Sequence, residues 1–395
     1  MDLEYGPEYD RFREEVDSFV RSLPADVDRR SFLMGAIERG YAYRSIPKRF
    51  GGSEQPFDPL RETIIAEIFD DSGIPWRLGP QNVGMLVPTL LEAGADWQKE
   101  KFIPPTLLGD AVWCQGYSEP GAGSDLASLR STARLEGDEW VLNGQKIWTS
   151  DADHAGYMFG MFRTEPEASK HAGISYLLLE MNQPGIDVRP LRQITGATHF
   201  FEVFFDEVRT PADWIVGARG AGWQVARANL KHERNLGGGT RLRQRFDAVL
   251  SLARTARRNG RPASEDPTIR GRLAEIEGSV RCAETMTLRQ LSAAARGEDA
   301  KVALPMLVNK LYGTEIGEAI AQLGFDLIGS DGLLAPTRST WDAVSTAARD
   351  TDWVDQYLFE LASGIAAGSS NIQRNVIGER GLGLPRDLRS PSKRD

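Results

Sequence analysis

The sequence predicts a mostly α-helical protein with a central β-domain, and three observations lead there. The chain has 395 residues, long for a single core and suited to two or three packed modules. Apolar residues recur at helical spacing at both ends of the chain. Between them lies a block of short aromatic and branched runs separated by turns, the pattern of strands. The expected order is an N-terminal helical domain over residues 1–111, a β-domain over 112–217 and a C-terminal helical bundle over 218–395.

The first module opens on Phe12, Val16, Phe19 and Leu23, one face of a helix in a charged segment. Leu60, Ile64 and Ile68, then Leu86, Leu90 and Leu91, continue the pattern, with glycine punctuation at Gly51-Gly52, Gly73 and Gly94. The strands of the β-domain are read at Thr132 to Leu135, Trp140 to Leu142, Tyr157 to Phe162, Ile174 to Leu179, Ile186 to Arg189 and Phe200 to Phe205. Glu136-Gly-Asp-Glu139 has the composition of a hairpin connection. After Gly222 four long helices are expected, at 223–257, 266–296, 306–328 and 352–380, with breaks at Asn259-Gly260, Pro262 and 329–336. Four such helices can close as a bundle, and residues 389–395 read as a solvated tail.

Composition narrows the function. Hydrophobic residues make up 41% and charged residues 26%, which disfavours both disorder and a membrane class. No apolar run approaches the roughly 18 residues that span a bilayer. The acidic start, Met1-Asp-Leu-Glu-Tyr, is unlike a basic signal-peptide opening, so a cytoplasmic location is expected. Two cysteines and four histidines predict neither a disulfide framework nor a metal site. A net charge of -9 argues against nucleic acid, so a polyanionic ligand would need local helix termini, glycine-loop amides and single arginines.

Two segments have the composition of a ligand site. Trp113-Cys-Gln-Gly-Tyr-Ser-Glu-Pro-Gly-Ala-Gly-Ser-Asp125 runs from a strand into a turn dense in backbone N–H groups and hydroxyls, suited either to an anion or to an ordinary polar loop. Asn143-Gly-Gln-Lys-Ile-Trp-Thr-Ser150 ends a strand on an indole and two hydroxyls; Trp148 reads either as core or as a platform for a flat cofactor.

Together these segments resemble the acyl-CoA dehydrogenase family, and the resemblance extends over nearly the whole chain. It also includes Pro88-Thr-Leu-Leu91, Gln98-Lys99, Pro104-Pro105, Phe204-Phe-Asp-Glu-Val-Arg-Thr-Pro211, Gly220 to Trp223, His232-Glu-Arg234 and Gly368-Ser-Ser-Asn-Ile-Gln-Arg374. The resemblance implies FAD as cofactor, an acyl-CoA as substrate and an electron-transferring flavoprotein as acceptor. It places Gln115, Tyr117 and Ser118 at the isoalloxazine ring, within a flavin loop that includes Gly123. Ser124 matches the serine shared by the flavin pyrophosphate and the CoA chain. Trp148 matches the indole beside the flavin, Thr149 and Ser150 the groups near N5, and Ser369 and Asn371 positions near the cofactor phosphates.

The family's reaction takes a proton from the acyl α-carbon and a hydride from the β-carbon, giving a trans-2-enoyl-CoA. Many members carry the catalytic base where this chain has Ala367. Members acting on branched, long or polycyclic acyl groups place it on a bundle helix ahead of an arginine, and Glu233-Arg234 falls there. By its surroundings alone, Glu233 reads as a surface acid paired with Lys231 or Arg234. With position 367 lacking an acid, the resemblance implies Glu233 as base, with the Ala367 N–H kept as oxyanion donor. Arg234 is then a pantetheine contact, a partner ordering Glu233, or a helix-surface cation.

Departures from the family pattern lie at Ala256-Arg-Arg-Asn-Gly260, where Arg257 or Arg258 stands in for an adenine-side contact, and at Asp326-Leu-Ile-Gly-Ser330. Phe200-Phe201 and Gly237-Gly-Gly239 suggest an unusual acyl pocket or a kinked helix. A dehydrogenase working as a homo- or heterotetramer, or a dimer, is the first expectation. An oxidase or monooxygenase on the same scaffold, or a non-catalytic subunit of a mixed tetramer, are the alternatives.

Overall fold

The computed structural model describes residues 6–168, 170–227, 239–298, 303–334 and 352–385. The chain divides between Leu236 and Gly237 into two compact units.

The first unit begins with α1 (Pro7–Arg21), whose Phe12, Val16 and Phe19 form the buried stripe that the spacing predicts. It packs with α2 (Arg29–Glu38) and α3 (Pro59–Asp71) around Phe32, Ile64, Ile68 and Phe69. Both helix starts are capped by aspartate: Asp28 accepts from Ser31 N–H, and Asp58 from Leu60 and Arg61 N–H. A π-helical stretch, Pro80–Leu86, leads into α4 (Val87–Ala93), and α5 (Asp96–Leu108) closes the helical part.

The β-part consists of β1 (Trp113–Gly116), β2 (Thr132–Glu136), β3 (Glu139–Ser150), β4 (Tyr157–Arg163), β5 (Ile174–Glu180), β6 (Ile186–Leu191), β7 (Phe200–Pro211) and β8 (Ile215–Val216). They form one mixed sheet in the order β6-β7-β3-β2-β4-β5-β8, with β1 paired parallel to β4. The expected hairpin is present: Glu136 pairs with Glu139 across Gly137-Asp138, and Gly137 takes a positive φ of 59°. One face of the sheet has its own core, with Trp140, Leu142, Met158, Phe162, Leu177 and Val203, and the other packs on the helices. Phe102 of α5 meets the rings of Trp113, Tyr157 and Trp214 at 5.2, 5.8 and 5.0 Å, so helices and strands share one apolar cluster.

The second unit contains α6 (Gly239–Thr255), α7 (Pro267–Ala295), α8 (Ala303–Ile328), α9 (Trp353–Ser363) and the short α10 (Ser370–Val376). Its core is built from Phe246, Val249, Leu273, Val280, Ile320, Leu323 and Trp353. One expectation needs correction. The helix read over 352–380 is broken between Ser363 and Ser370, because Ala367 and Gly368 adopt φ of 51° and 86°, which a right-handed helix cannot contain. Of the helix read over 223–257, the described parts are 222–227 and α6.

Candidate flavin and acyl-thioester site

The loop after β1 is built to lie close against the sheet. A Cβ on Gly116 would come 2.5 Å from the Met158 sulfur, so any larger residue where β1 passes β4 would displace that buried side chain. Tyr117 then turns its ring inward against Phe159 and Tyr176, with centroids 6.0 and 6.3 Å apart, which anchors the loop. The Ser118 carbonyl accepts the Ile147 N–H at 2.9 Å. That bond sets Gln115, Tyr117 and Ser118 beside the end of β3, where Trp148, Thr149 and Ser150 lie. Glu119 and Ala122 exchange both backbone hydrogen bonds at 3.0 Å, closing a turn that leaves Gly121, Gly123 and Ser124 exposed.

The end of β3 is irregular. The register with β7 shifts between Lys146 and Thr149, and Trp148 takes φ 61°, which is rare for a bulky residue. The shift turns the indole outward: Trp148 is 58% exposed and meets Phe200 edge-on at 5.9 Å. Large exposed aromatics on strained backbone are features that folding alone does not favour. Thr149 and Ser150 separate. Ser150 is half-buried, while the Thr149 side chain is fully buried and its hydroxyl has no hydrogen-bond partner.

Beneath the loop lies a pair that the sequence reading did not single out. Lys146 is 0% exposed, and its ammonium donates to Glu119 Oε1 at 2.8 Å, the Met161 carbonyl at 2.7 Å and the Tyr117 carbonyl at 3.3 Å. Glu119 also accepts Arg130 N–H at 2.6 Å and Ser131 N–H at 2.9 Å. Burial raises the Glu119 carboxyl, but the Lys146 charge and these hydrogen bonds outweigh it and hold the group below its ordinary value. Burial pulls Lys146 down to about 8, against the opposing pull of Glu119. Neither residue is unusual as a type, since lysines and glutamates are ordinarily solvated; a lysine inside the strand that carries Trp148 is the local signal the sequence offers.

In the second unit, Ala367 is exposed at the left-handed break before α10. Among the described residues no backbone acceptor takes its N–H. Ser369 caps α10 by accepting Ile372 N–H at 3.4 Å, and Asn371 is exposed with its carbonyl 3.4 Å from Arg374. Glu233, Arg234 and Gly237-Gly238 lie outside the described residues. On the adenine-side departures, Arg257–Arg258 pairs with Arg261–Pro262 across Asn259 and Gly260, both at positive φ, and Arg258 contacts Asp266 at 3.2 Å. Asp326 is engaged by Arg272 at 2.6 Å and by Gln322 at 2.9 Å.

The residues present fit a flavin. An orphaned buried hydroxyl, an exposed indole on strained backbone and a glycine turn with open space where a Cβ at Gly121 or Gly123 would project are all explained by a flat, anionic cofactor.

Family models agree. Those for the N-terminal, middle and C-terminal domains of acyl-CoA dehydrogenases match residues 7–110, 114–208 and 220–382. Acyl-CoA dehydrogenase IpdE1 of Mycobacterium tuberculosis is 42% identical over 375 residues, covering 93% of this chain and 91% of the relative. Acyl-CoA dehydrogenase FadE29 of the same organism is 31% identical, covering 98% of this chain and 99% of the relative. Among solved structures, the Tcur3481-Tcur3483 steroid ACAD superposes with a TM-score of 0.78 at 27% identity, covering 98% of this chain and 100% of that one. The ChsE4-ChsE5 complex from Mycobacterium tuberculosis gives 0.76 at 26% identity, covering 98% and 100%.

Fold and matches together define the class as a flavin-dependent oxidoreductase. Within that class, the chain belongs to the acyl-CoA dehydrogenase family, whose members use FAD.

Proposed function

We propose that this protein catalyses α,β-dehydrogenation of a bulky acyl-CoA, with Glu233 as the base and the Ala367 N–H as an oxyanion donor. The observation that carries this reading is the state of position 367: a methyl group where many members hold their base, on a left-handed loop whose N–H has no backbone acceptor among the described residues. That position keeps a donor suited to the enolate-like thioester oxygen while offering no acid. Glu233-Arg234 then supplies the carboxylate that takes the α-proton. FAD, when bound, supplies the acceptor for the β-hydride, so that proton and hydride together leave a trans-2-enoyl-CoA. Gln115, Ser118, Gly123 and Ser124 hold the cofactor from the loop side, with Trp148 and Ser150 beside it and Thr149 behind them. Ser369 and Asn371 are assigned to the cofactor phosphates, and Ser124 and Arg234 to the pantetheine arm. Similarity to a steroid ACAD makes polycyclic acyl thioesters the first class to test.

The test is anaerobic flavin reduction by a panel of acyl-CoAs. Glu233→Gln keeps the shape and removes the base; it is expected to retain flavin and to slow reduction by at least about a hundredfold. Adding Ala367→Glu to that variant is expected to restore part of the rate. Normal turnover by Glu233→Gln would falsify the assignment of the base.

A second reading has the chain acting within a mixed assembly, as the paired names of the two solved complexes suggest for those proteins. No helix among the described residues is long and apolar enough to cross a membrane, and a cytoplasmic enzyme passing electrons to an electron-transferring flavoprotein is the setting proposed.

A further inference from the structure

We infer that Lys146 and Glu119 are positioning residues for the flavin: a buried ionic clamp that holds the loop after β1 in its cofactor-binding shape. The inference rests on the flavin reading of this loop, and every group it uses lies within the first unit.

Two charges are buried at 0% and 7% side-chain exposure, an arrangement that a core of similar shape could replace with apolar residues. What the apolar alternative lacks is hydrogen-bonding reach. The Lys146 ammonium bonds the Tyr117 carbonyl in the loop, the Met161 carbonyl in β4 and the Glu119 carboxylate. Glu119 in turn gathers the N–H groups of Arg130 and Ser131, where the chain returns from the glycine turn. The pair therefore ties both ends of the segment 117–131 to the strand that carries Trp148, two residues beyond Lys146. Ser118, Gly123 and Ser124 lie on that tied segment. A geometry so fixed presents the loop amides without a further ordering cost when the cofactor arrives.

The test compares the wild type with Glu119→Gln, Lys146→Met and the charge-balanced double variant, using the full chain stripped of flavin. FAD affinity is read by quenching of flavin fluorescence, the cofactor's environment by the visible absorption band, stability by thermal melting, and loop order by amide hydrogen exchange over 117–131 in the flavin-free protein. Each single variant is expected to weaken FAD binding about tenfold or more, the scale of a lost hydrogen bond to a charged group, and to displace the visible band. Exchange in the loop is expected to quicken. The double variant is expected to recover melting temperature, because no unpaired charge remains buried, without recovering FAD affinity. Should a single variant fail to fold, the double variant decides. FAD affinity that rises and falls only with melting temperature, or a wild-type affinity and band in a variant that folds, overturns the clamp. If the wild type itself takes up no FAD, the flavin reading fails separately, and unchanged loop exchange in the variants would then remove the clamp as well.

Discussion

At the residue scale, each unit holds groups that folding alone would not choose: in the first an outward tryptophan at positive φ, a threonine hydroxyl without a partner and a lysine with no exposure, in the second an alanine in the left-handed region. Glu119, the partner of that lysine, gives a pH dependence with a definite sign. Its carboxyl is held below the ordinary value in the folded protein, so its contribution to stability is fully present above the unfolded value of about 4.3 and is lost as the pH falls through the folded value. Acid is therefore expected to release flavin and lower the melting temperature progressively below the ordinary carboxylate range. In Glu119→Gln that acid limb should flatten; an identical pH profile in the variant would show that some other carboxylate controls it. The glycine turn after β1 and the indole near the end of β3 were legible in the sequence because both are local patterns. Lys146 and Glu119 were not, since each acquires its meaning only by meeting the other across 27 residues of chain.

At the element scale, close approach decides what the helices of the second unit tolerate. A Cβ on Gly324 of α8 would lie 1.9 Å from the Trp353 ring that opens α9, and Trp353 is itself part of that core. Gly324→Ala is expected to destabilise the protein by about 1–3 kcal/mol from overpacking, despite the roughly 1 kcal/mol that alanine contributes to helix propensity. Chemical denaturation measures the difference; a variant as stable as the wild type would mean that the two helices can separate at little cost. The same scale explains the misread helix at 352–380. Its residues favour helix on both sides of the break, and Ala367 gives no composition signal for the left-handed turn that it makes. Asn259-Gly260 shows the opposite case, since an Asn-Gly pair predicts positive φ at both positions and a tight hairpin forms there.

At the scale of the whole molecule, the question is whether one chain suffices. The flavin reading of the loop after β1 leads us to expect that the protein purified alone retains yellow FAD in a defined oligomer, with mass measured by light scattering and flavin by absorbance. A colourless, stable protein that takes up flavin only after a partner chain is added would support the mixed assembly instead. The departures at Ala256-Arg-Arg-Asn-Gly260 and Asp326 to Ser330 make this experiment informative, because Arg258 and Asp326 both have ion-pair partners within their own unit.

The sequence by itself determined the order helix, strand, helix, the family, the cofactor and the vacancy at Ala367, because periodicity, turn composition and short motifs are carried by neighbouring residues. Only the tertiary structure decided that the helical and β parts of the first unit meet in a shared apolar cluster, that Trp148 faces outward, and that a buried Lys146–Glu119 pair lies beneath the loop after β1. Those features depend on contacts between residues far apart in the chain, where burial turns an ordinary lysine and an ordinary glutamate into a fixed ion pair.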